Sequence, residues 1–351
     1  MPAEAARLLP AWWGWITEAV LLGGACLAVA ACADRLLPRS WAAARAALWG
    51  AALGRALVLP DWGASAAVWL SPALVERPAV SARALPLELL FGIWSAGAVG
   101  LAAWVALRYA VDRRALRNEV EVRYPASFAA AVSAAAAELG MRAPRVVFLR
   151  DLSGPATFGF LRPVVLLPHD LFERCDREDV RHVLLHEFVH ARRRDPLWSV
   201  GAWFVQALLW FDPLVWWGRA RFEWARELSC DAEVTSRSSV ASDGYTRTLA
   251  AFALASERGA HPAWAGFSGR SRIVRRLEFL ERAPRPAGRS VRAVTVLAAA
   301  ALFSASLPAA RAQLTTAEAL AEPGCLRLRY HVFAAMGDVP GPSAPTEPRE
   351  F

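Results

Sequence analysis

The sequence predicts an α-helical integral membrane protein, with about four transmembrane helices and one inserted α+β domain. The chain has 351 residues, of which 56% are hydrophobic and 21% are charged. Soluble domains are typically about 45–50% apolar, so this composition favours a membrane protein. The 16 Trp residues support the same conclusion, because Trp side chains concentrate at membrane–water interfaces.

Four apolar segments approach the length of about 20 residues that a helix needs to cross a bilayer. The second segment is the weakest prediction, because it contains Arg45 and Arg55. The segments run from about Trp12 to Ala33, from about Trp41 to Leu59, from about Leu87 to Val111 and from about Val291 to Ala309.

The first segment has an alternative interpretation as a cleaved signal peptide. The residues "VAAC" at 29–32 resemble a lipoprotein signal-peptide ending, and Arg7 can serve as the charged residue before the apolar run. Glu18 interrupts that run, however, and two more apolar segments follow it closely. We therefore favour a membrane span at this position.

Arg residues predict the orientation of these segments, because the cytoplasmic flanks of transmembrane helices are enriched in positive charge. Arg113, Arg114 and Arg117 follow the third segment, and several Arg residues between 275 and 292 precede the fourth. The region between them is therefore expected in the cytoplasm. We expect a membrane region with three transmembrane helices at 1–111 and a cytoplasmic domain at 112–290. A fourth transmembrane helix at 291–309 should follow. The short extracytoplasmic tail at 310–351 is expected to be disordered.

Between the third and fourth apolar segments the pattern changes to that of a water-facing domain. Asp176, followed by Asp179 three residues later, predicts the N-cap of a helix. Gly140 predicts the end of an earlier helix, and short apolar runs between these positions predict strands. The predicted elements are a helix at 126–140 and strands at 145–150 and 162–168, which "DLSGPATFGFL" connects.

The segment "HVLLHEFVHARRRD" (182–195) contains the H-E-x-x-H pattern of many zinc peptidases. His186 and His190 are four residues apart, so on a helix their imidazoles share one face and can bind one metal ion. Glu187 follows the first His and can take a proton from water beside the metal. His182 is expected to be a surface or capping residue, because Glu187 fixes the frame of the pattern.

A catalytic zinc site needs a third protein ligand and an open position for water. The segment "RFEWARELSCDAEV" (221–234) offers Glu223, Glu227 and Asp231 on one helical face, roughly 6 Å apart per step. One carboxylate can bind the metal while a neighbour accepts a hydrogen bond from a ligand His. Spacing alone does not choose among the three, and a solvated acidic face paired with Arg226 is the alternative.

The charged residues and the Cys residues do not predict any further kind of binding site. The net charge is +8 and all basic residues are Arg, but the chain contains no nucleic-acid-binding motif, so direct nucleic-acid binding is not expected. The five Cys residues lack CxxC spacing. They predict neither a disulfide framework nor a Cys-based zinc site.

The apolar connection at 197–217, interrupted by Asp212 and Pro213, lies between the two halves of the candidate site. If it crossed the membrane, Glu227 and His186 would be on opposite sides. A helix at 197–210 spans roughly 21 Å, which is less than the bilayer core of about 30 Å. We therefore predict that the connection dips into the bilayer or lies along it, with an ordinary buried core helix as the alternative.

These segments together resemble the BlaR/MecR-type membrane metallopeptidases, which are integral-membrane signal transducers of beta-lactam resistance. The resemblance covers about residues 10–310. It implies a gluzincin-type metallopeptidase domain with one Zn²⁺ per chain bound by His186, His190 and Glu227. It also implies that Glu187 is the catalytic base and that Asp231 supports the ligands from outside the coordination sphere. The matching segments are 154–168, 176–198, 210–217, 226–234 and 270–276.

The resemblance implies a multi-pass zinc endopeptidase of the bacterial cytoplasmic membrane, in contact with lipid, with the peptidase domain facing the cytoplasm. Its expected substrate is the chain itself or a cytoplasmic protein such as a DNA-binding repressor. The best-known members carry a penicillin-binding sensor domain after the fourth span. Here about 42 residues follow residue 309 and contain no S-x-x-K motif, so beta-lactam sensing by acylation is not expected.

Two other functions are compatible with the sequence. One is a housekeeping membrane zinc protease of the prenyl-protein or heat-shock type. The other is a catalytically silent membrane sensor or scaffold, which the intact Glu187 disfavours because a structural zinc site needs no base. Tyr245 and His261 are possible donors to the oxyanion of the reaction, although a core aromatic is the favoured interpretation of Tyr245.

Overall fold

The computed structural model describes residues 5–38, 41–55, 87–118, 126–150, 152, 154–237, 240, 242–256 and 270–282. The helices are α1 (Ala5–Leu36), α2 (Ala42–Arg55), α3 (Leu87–Asn118), α4 (Ala126–Glu138), α5 (Leu171–Arg174), α6 (Arg177–Arg193), α7 (Asp195–Leu208), α8 (Pro213–Thr235), α9 (Ser242–Ser256) and α10 (Arg270–Arg282). The strands are β1 (Arg145–Leu149), β2 (Ala156–Phe158) and β3 (Val164–Pro168). The described part of the chain is therefore mostly helical.

Among the helices that the structure describes, two are long and apolar enough to cross a membrane. They are α1, over Trp12–Leu36, and α3, over Leu87–Arg114. These ranges match the first and third predicted spans. Val99 and Leu107 on α3 are more than half exposed, as expected of side chains that contact lipid. The helix continues to Asn118, so the predicted boundary at residue 111 does not coincide with a helix end.

The second predicted span is described only in part. Helix α2 has 14 residues, which is roughly 21 Å and shorter than a bilayer core of about 30 Å. Its two charged residues pair with α1, where Arg45 lies 3.2 Å from Asp34 and Arg55 lies 3.5 Å from Glu18. Residues 56–59, the predicted fourth span at 291–309 and the tail at 310–351 lie outside the described residues, and the number of spans stays a prediction.

The inserted domain contains a three-stranded sheet with the order β1-β3-β2. Strands β1 and β3, which correspond to the two predicted strands, pair in parallel. Strand β2 pairs with β3 in the antiparallel direction. The sequence did not predict β2, which lies within the connection between the two predicted strands. Because β2 pairs on one side only among the described strands, it forms an edge of the sheet.

Local signals for the ends of helices are confirmed. Helix α4 stops just before Gly140, which has a φ of +64°, a conformation that favours glycine. Asp176 caps α6, because its carboxylate accepts a hydrogen bond of 2.8 Å from the backbone N–H of Asp179. One buried core joins α4, the sheet, α6 and α8. Its fully buried members include Leu167, Leu184, Leu185, Phe188 and Val234.

The apolar connection forms α7 and the start of α8, and the chain turns between them. Asp212 caps α8 by accepting a hydrogen bond of 2.8 Å from Leu214 N–H, and Pro213 is the first residue of that helix. Trp198 and Phe204 on α7 are 60% and 56% exposed, which an ordinary buried core helix would not show. Helix α8 then runs back against α6, so both halves of the candidate site meet.

Candidate metal centre

Helix α6 presents two imidazoles to a common point. The Nε2 atoms of His186 and His190 are 3.1 Å apart, and both side chains are largely buried. On a tetrahedral zinc ion with Zn–N bonds of about 2.0–2.1 Å, two ligand nitrogens are about 3.3 Å apart. The separation of the two nitrogens therefore fits a shared metal ion, as the i, i+4 spacing predicted.

Glu227 on α8 faces the two histidines. Its Oε2 lies 3.7 Å from His186 Nε2 and its Oε1 lies 3.6 Å from His190 Nε2. Glu223, one turn earlier, instead forms an ion pair with Arg219 and does not line the cavity at the histidines. The structure thus brings Glu227, the residue that the family resemblance favoured, to the position of a third donor.

Hydrogen bonds to the other ring nitrogens orient both imidazoles. His190 Nδ1 lies 2.7 Å from Oδ2 of Asp195, a buried carboxylate at the start of α7. His186 Nδ1 lies 2.8 Å from the hydroxyl oxygen of Tyr245, which donates its own proton to Asp231 at 2.7 Å. With Nδ1–H donating in both contacts, Nε2 is the nitrogen that each ring directs toward a metal.

The predicted base is held by the unpredicted strand. The Thr157 hydroxyl on β2 lies 2.8 Å from Oε2 of Glu187 and 3.0 Å from the carbonyl oxygen of the same residue. Glu187 is 6% exposed and lines the same cavity as the histidines. The structure therefore brings Glu187 to the site, and β2 restrains its carboxylate.

An arginine lies against the acidic residues of the site. Arg276 on α10 contacts Asp231 at two points, with Nε 2.8 Å from Oδ2 and Nη2 2.6 Å from Oδ1. Its Nη1 is 3.5 Å from Oε2 of Glu227. Asp231 is fully buried, so the guanidinium compensates its charge. From the sequence, Arg276 counts only among the Arg residues between 275 and 292 that predict the orientation, and no role in the site was predicted for it.

A buried thiol is the second feature that the sequence analysis missed. Cys230 is 0% exposed, and its Sγ, one ring nitrogen of His186 and one ring nitrogen of His190 all lie within 4.8 Å of one another. The thiol donates to the carbonyl oxygen of His186 at 3.3 Å. The missing CxxC spacing predicted that the Cys residues form no Cys-based zinc site. Cys230 nevertheless lies beside two histidines on another helix, an arrangement that CxxC spacing does not detect.

The charges around the imidazoles favour a cation. Burial by itself lowers the pKa of His186, but Cys230 and Glu227 outweigh burial and raise that pKa to about 10. Burial is likewise outweighed at His190, where Cys230 and Glu227 raise the pKa well above its usual range. Burial raises the pKa of Glu227, yet the two histidines and Arg276 hold it well below its usual range. A metal cation satisfies the same negative surroundings as a protonated imidazole.

The site opens into a cavity of about 400 Å³. His182 lines it as well, and the prediction that His182 is a surface or capping residue is wrong. The side chain is 1% exposed, and Nδ1 lies 2.9 Å from the Thr248 hydroxyl on α9. The reason is geometric, because His182 is one helical turn before His186 and therefore faces α9 with it.

The structure describes one of the two residues that were suggested as oxyanion donors. Tyr245 is a buried core residue, as the sequence favoured, but its hydroxyl also belongs to the site and is engaged with Asp231. His261 lies outside the described residues. The donor set of the centre is two imidazoles and a carboxylate with a thiol beside them, and all of these are groups that bind Zn²⁺ in proteins.

Comparisons with known proteins agree with this chemistry. A family model described as "BlaR1 peptidase M56" matches residues 71–280, which are 210 of the 351 residues and include every residue of the centre. "Regulatory protein BlaR1" of Bacillus licheniformis is 35% identical over 83 residues, which make up 24% of this chain and 14% of that protein. The aligned region is thus a small part of that relative.

Proposed function

Because the chain belongs to the BlaR1 peptidase M56 family, we propose that it is a membrane-bound zinc endopeptidase with a gluzincin-type site. The observation that carries this proposal is the convergence of His186, His190 and Glu227 on one point, with Glu187 beside them. Zinc prefers such a set of two imidazoles and one carboxylate in hydrolytic sites. The presence of a base that a structural metal site does not need supports catalysis over scaffolding.

In this proposal His186, His190 and Glu227 hold one Zn²⁺ per chain. When bound, the ion would supply Lewis-acid chemistry, which favours deprotonation of water and stabilises charge on a carbonyl oxygen. Asp195 and Tyr245 accept the Nδ1–H groups of the two histidines and fix their ring orientations. Asp231 supports His186 through Tyr245 without being a ligand.

Glu187 acts as the general base and then as the general acid. It takes a proton from the attacking water and transfers it to the amine that leaves when the peptide bond breaks. Thr157 bonds Oε2 of Glu187, so this contact leaves Oε1 available for the proton. Holding the carboxylate in one orientation lowers the entropy that must be lost before proton transfer.

Strand β2 is the proposed docking position for the substrate backbone. It is an edge strand within the described sheet, and Ala156 and Thr157 line the cavity beside Glu187. An extended peptide can pair with the unpaired backbone groups of such an edge. The scissile peptide bond of a substrate paired with β2 would then lie beside the proposed metal ligands.

The proposed setting is the bacterial cytoplasmic membrane, with four spans and with the domain at 112–290 facing the cytoplasm. The exposed apolar side chains of the corner between α7 and α8 support contact with the bilayer surface; they include Trp198, Phe204, Phe211, Leu214, Trp216 and Trp217. Trp94 and Trp210 connect this corner to α3, since each indole N–H donates to a backbone carbonyl across the two segments. The metal centre would thus lie close to the membrane.

The proposed substrate is the chain itself or a cytoplasmic protein such as a DNA-binding repressor. The Bacillus licheniformis relative is a regulatory protein, which supports signalling over housekeeping turnover. The test is proteolysis by the full-length protein in detergent micelles with zinc, using a repressor encoded beside its gene as substrate. Zinc-dependent cleavage that Glu187→Gln abolishes and Glu223→Gln leaves intact supports the proposal, whereas equal cleavage by both variants contradicts it.

A further inference from the structure

Cys230 occupies the same face of α8 as Glu227. The two residues are three positions apart on one helix, so their side chains project to the same side. Glu227 lies 3.6–3.7 Å from the histidine Nε2 atoms, and the Cys230 Sγ lies within 4.8 Å of a ring nitrogen of each histidine. Helix α8 therefore presents an oxygen donor and a sulfur donor to the two imidazoles of α6.

The proposed peptidase mechanism gives this thiol no task. Cys230 is fully buried, and the hydrogen bond that it donates to the His186 carbonyl oxygen is a modest interaction at 3.3 Å. The thiol instead adjoins two nitrogen donors whose lone pairs are directed by Asp195 and Tyr245.

We propose that Cys230 is a fourth protein ligand of the metal, so that the centre has a closed form held by His186, His190, Glu227 and Cys230. This inference rests on the proposed function, because it takes the zinc site as given. The thiol loses its proton to solvent when it binds the ion, as thiol ligands do. Thiolate sulfur is a strong ligand for zinc at a bond length of about 2.3 Å.

A fourth protein ligand has a direct consequence for activity. Structural zinc sites are closed by four protein ligands, whereas catalytic sites keep one position for water. In the closed form the chain's own thiol occupies the position that water needs, and the peptidase is latent. Release of Cys230 returns that position to water without loss of the other three ligands.

The test uses the full-length protein in detergent, with zinc replaced by Co²⁺. Binding of thiolate to Co²⁺ produces an intense near-ultraviolet charge-transfer band, which nitrogen and oxygen ligands do not give. We expect this band in the wild-type protein and in Cys175→Ser, because the half-buried Cys175 does not line the cavity of the centre. We expect its loss in Cys230→Ser, with cobalt still bound in a ratio of about one per chain.

The outcomes separate this inference from the proposed function. One bound cobalt without the band in wild type overturns the role of Cys230 and leaves the three-ligand site intact. Absence of bound cobalt and zinc in wild type overturns both. Persistence of the band in Cys230→Ser overturns the assignment of the sulfur. X-ray absorption of the zinc form of wild type gives a second measurement that needs no variant: one sulfur neighbour at about 2.3 Å supports the proposal, and only nitrogen and oxygen neighbours contradict it.

Discussion

Arg276 holds the fully buried Asp231 at two points, with Nε–Oδ2 and Nη2–Oδ1 distances of 2.8 and 2.6 Å. This contact joins α10 to α8 beside the proposed metal ligands. The Asp231 oxygen that accepts from Nη2 also accepts from the Tyr245 hydroxyl, which in turn contacts His186. One arginine thus supports the orientation of a proposed metal ligand through two intervening side chains.

Loss of this arginine is expected to destabilise the domain. In Arg276→Ala the buried carboxylate of Asp231 has no compensating charge, and breaking a buried ion pair on one side costs about 3–5 kcal/mol. Thermal unfolding of the full-length protein in detergent, with metal chelated, measures the effect. Adding Asp231→Asn should restore part of the loss, because that double variant buries no unpaired charge.

The matched control is Arg219→Ala, which breaks the ion pair with Glu223 on the same helix. Glu223 is 27% exposed whereas Asp231 is fully buried, so we expect a smaller loss in Arg219→Ala than in Arg276→Ala. An equal loss of stability in Arg219→Ala and Arg276→Ala would mean that the buried charge of Asp231 does not require Arg276.

Metal content should follow the three proposed ligands and not the base. Metal analysis of the purified wild type should give about one zinc per chain. His186→Ala and Glu227→Ala should lose most of that zinc, because each removes a donor, whereas Glu187→Gln should keep it. Full retention of zinc by the His186→Ala, His190→Ala double variant would exclude this site.

Glu187→Gln should then separate binding from chemistry. Loss of a general base typically lowers a rate by about 10²–10⁴-fold, so cleavage of the substrate should fall by that factor while zinc stays bound. Thr157→Val should cause a smaller loss of about ten-fold, because the carboxylate remains but one hydrogen bond that orients it is removed. A Thr157→Ser variant, which keeps the hydroxyl, should retain most of the activity, and an equal loss in both Thr157 variants would point to packing instead.

Zinc binding should release protons near neutral pH. Because the pKa values of His186 and His190 are raised, the metal-free site keeps a proton at pH values above the usual pKa of histidine. Binding requires both Nε2 lone pairs, so it must displace that proton, and affinity should rise with pH up to about 10 for His186. Calorimetric titration at pH 7 in buffers of different ionisation enthalpy should show release of about one proton or more per zinc. Buffer-independent heats would contradict the raised pKa values.

Features encoded by nearby residues could be predicted from the sequence. The pairing of His186 with His190 needs only a helix with 3.6 residues per turn, and the cap at Asp176 depends on a residue three positions away. The contact of Glu227 with the histidines joins two helices. That contact was expected only because the family resemblance selected one of three equally spaced carboxylates.

Features that depend on packing between distant segments could not be predicted in the same way. Strand β2 has three residues, too few to show an alternating pattern, and its role follows from the contact between Thr157 and Glu187 across 30 residues. Arg276 and Cys230 reach the centre through the arrangement of α10 and α8 around α6. The Asp195 carboxylate is the nearest in sequence, five residues after His190, and an Asp directly after the motif helix is the signal that could have identified it.

The last prediction concerns the side of the membrane on which the peptidase domain lies. Arg residues flank this domain at 113–117 and 275–292, and cytoplasmic flanks carry such positive charge. The helical turn between α7 and α8 brings His186 and Glu227 together, so the two residues share one compartment. Carrying the acidic face of α8 across the hydrocarbon core would be costly.

Single Cys probes at Asp170, Ser239 and Tyr330 in a Cys-free background test this topology in intact cells with a membrane-impermeant thiol reagent. Probes at 170 and 239 should react only after the membrane is opened, whereas the probe at 330 should react at once. Opposite sides for 170 and 239 would be incompatible with the shared metal centre. Labelling of both from outside would leave the centre possible but exclude a cytoplasmic repressor as its substrate, because zinc site and substrate must meet in one compartment.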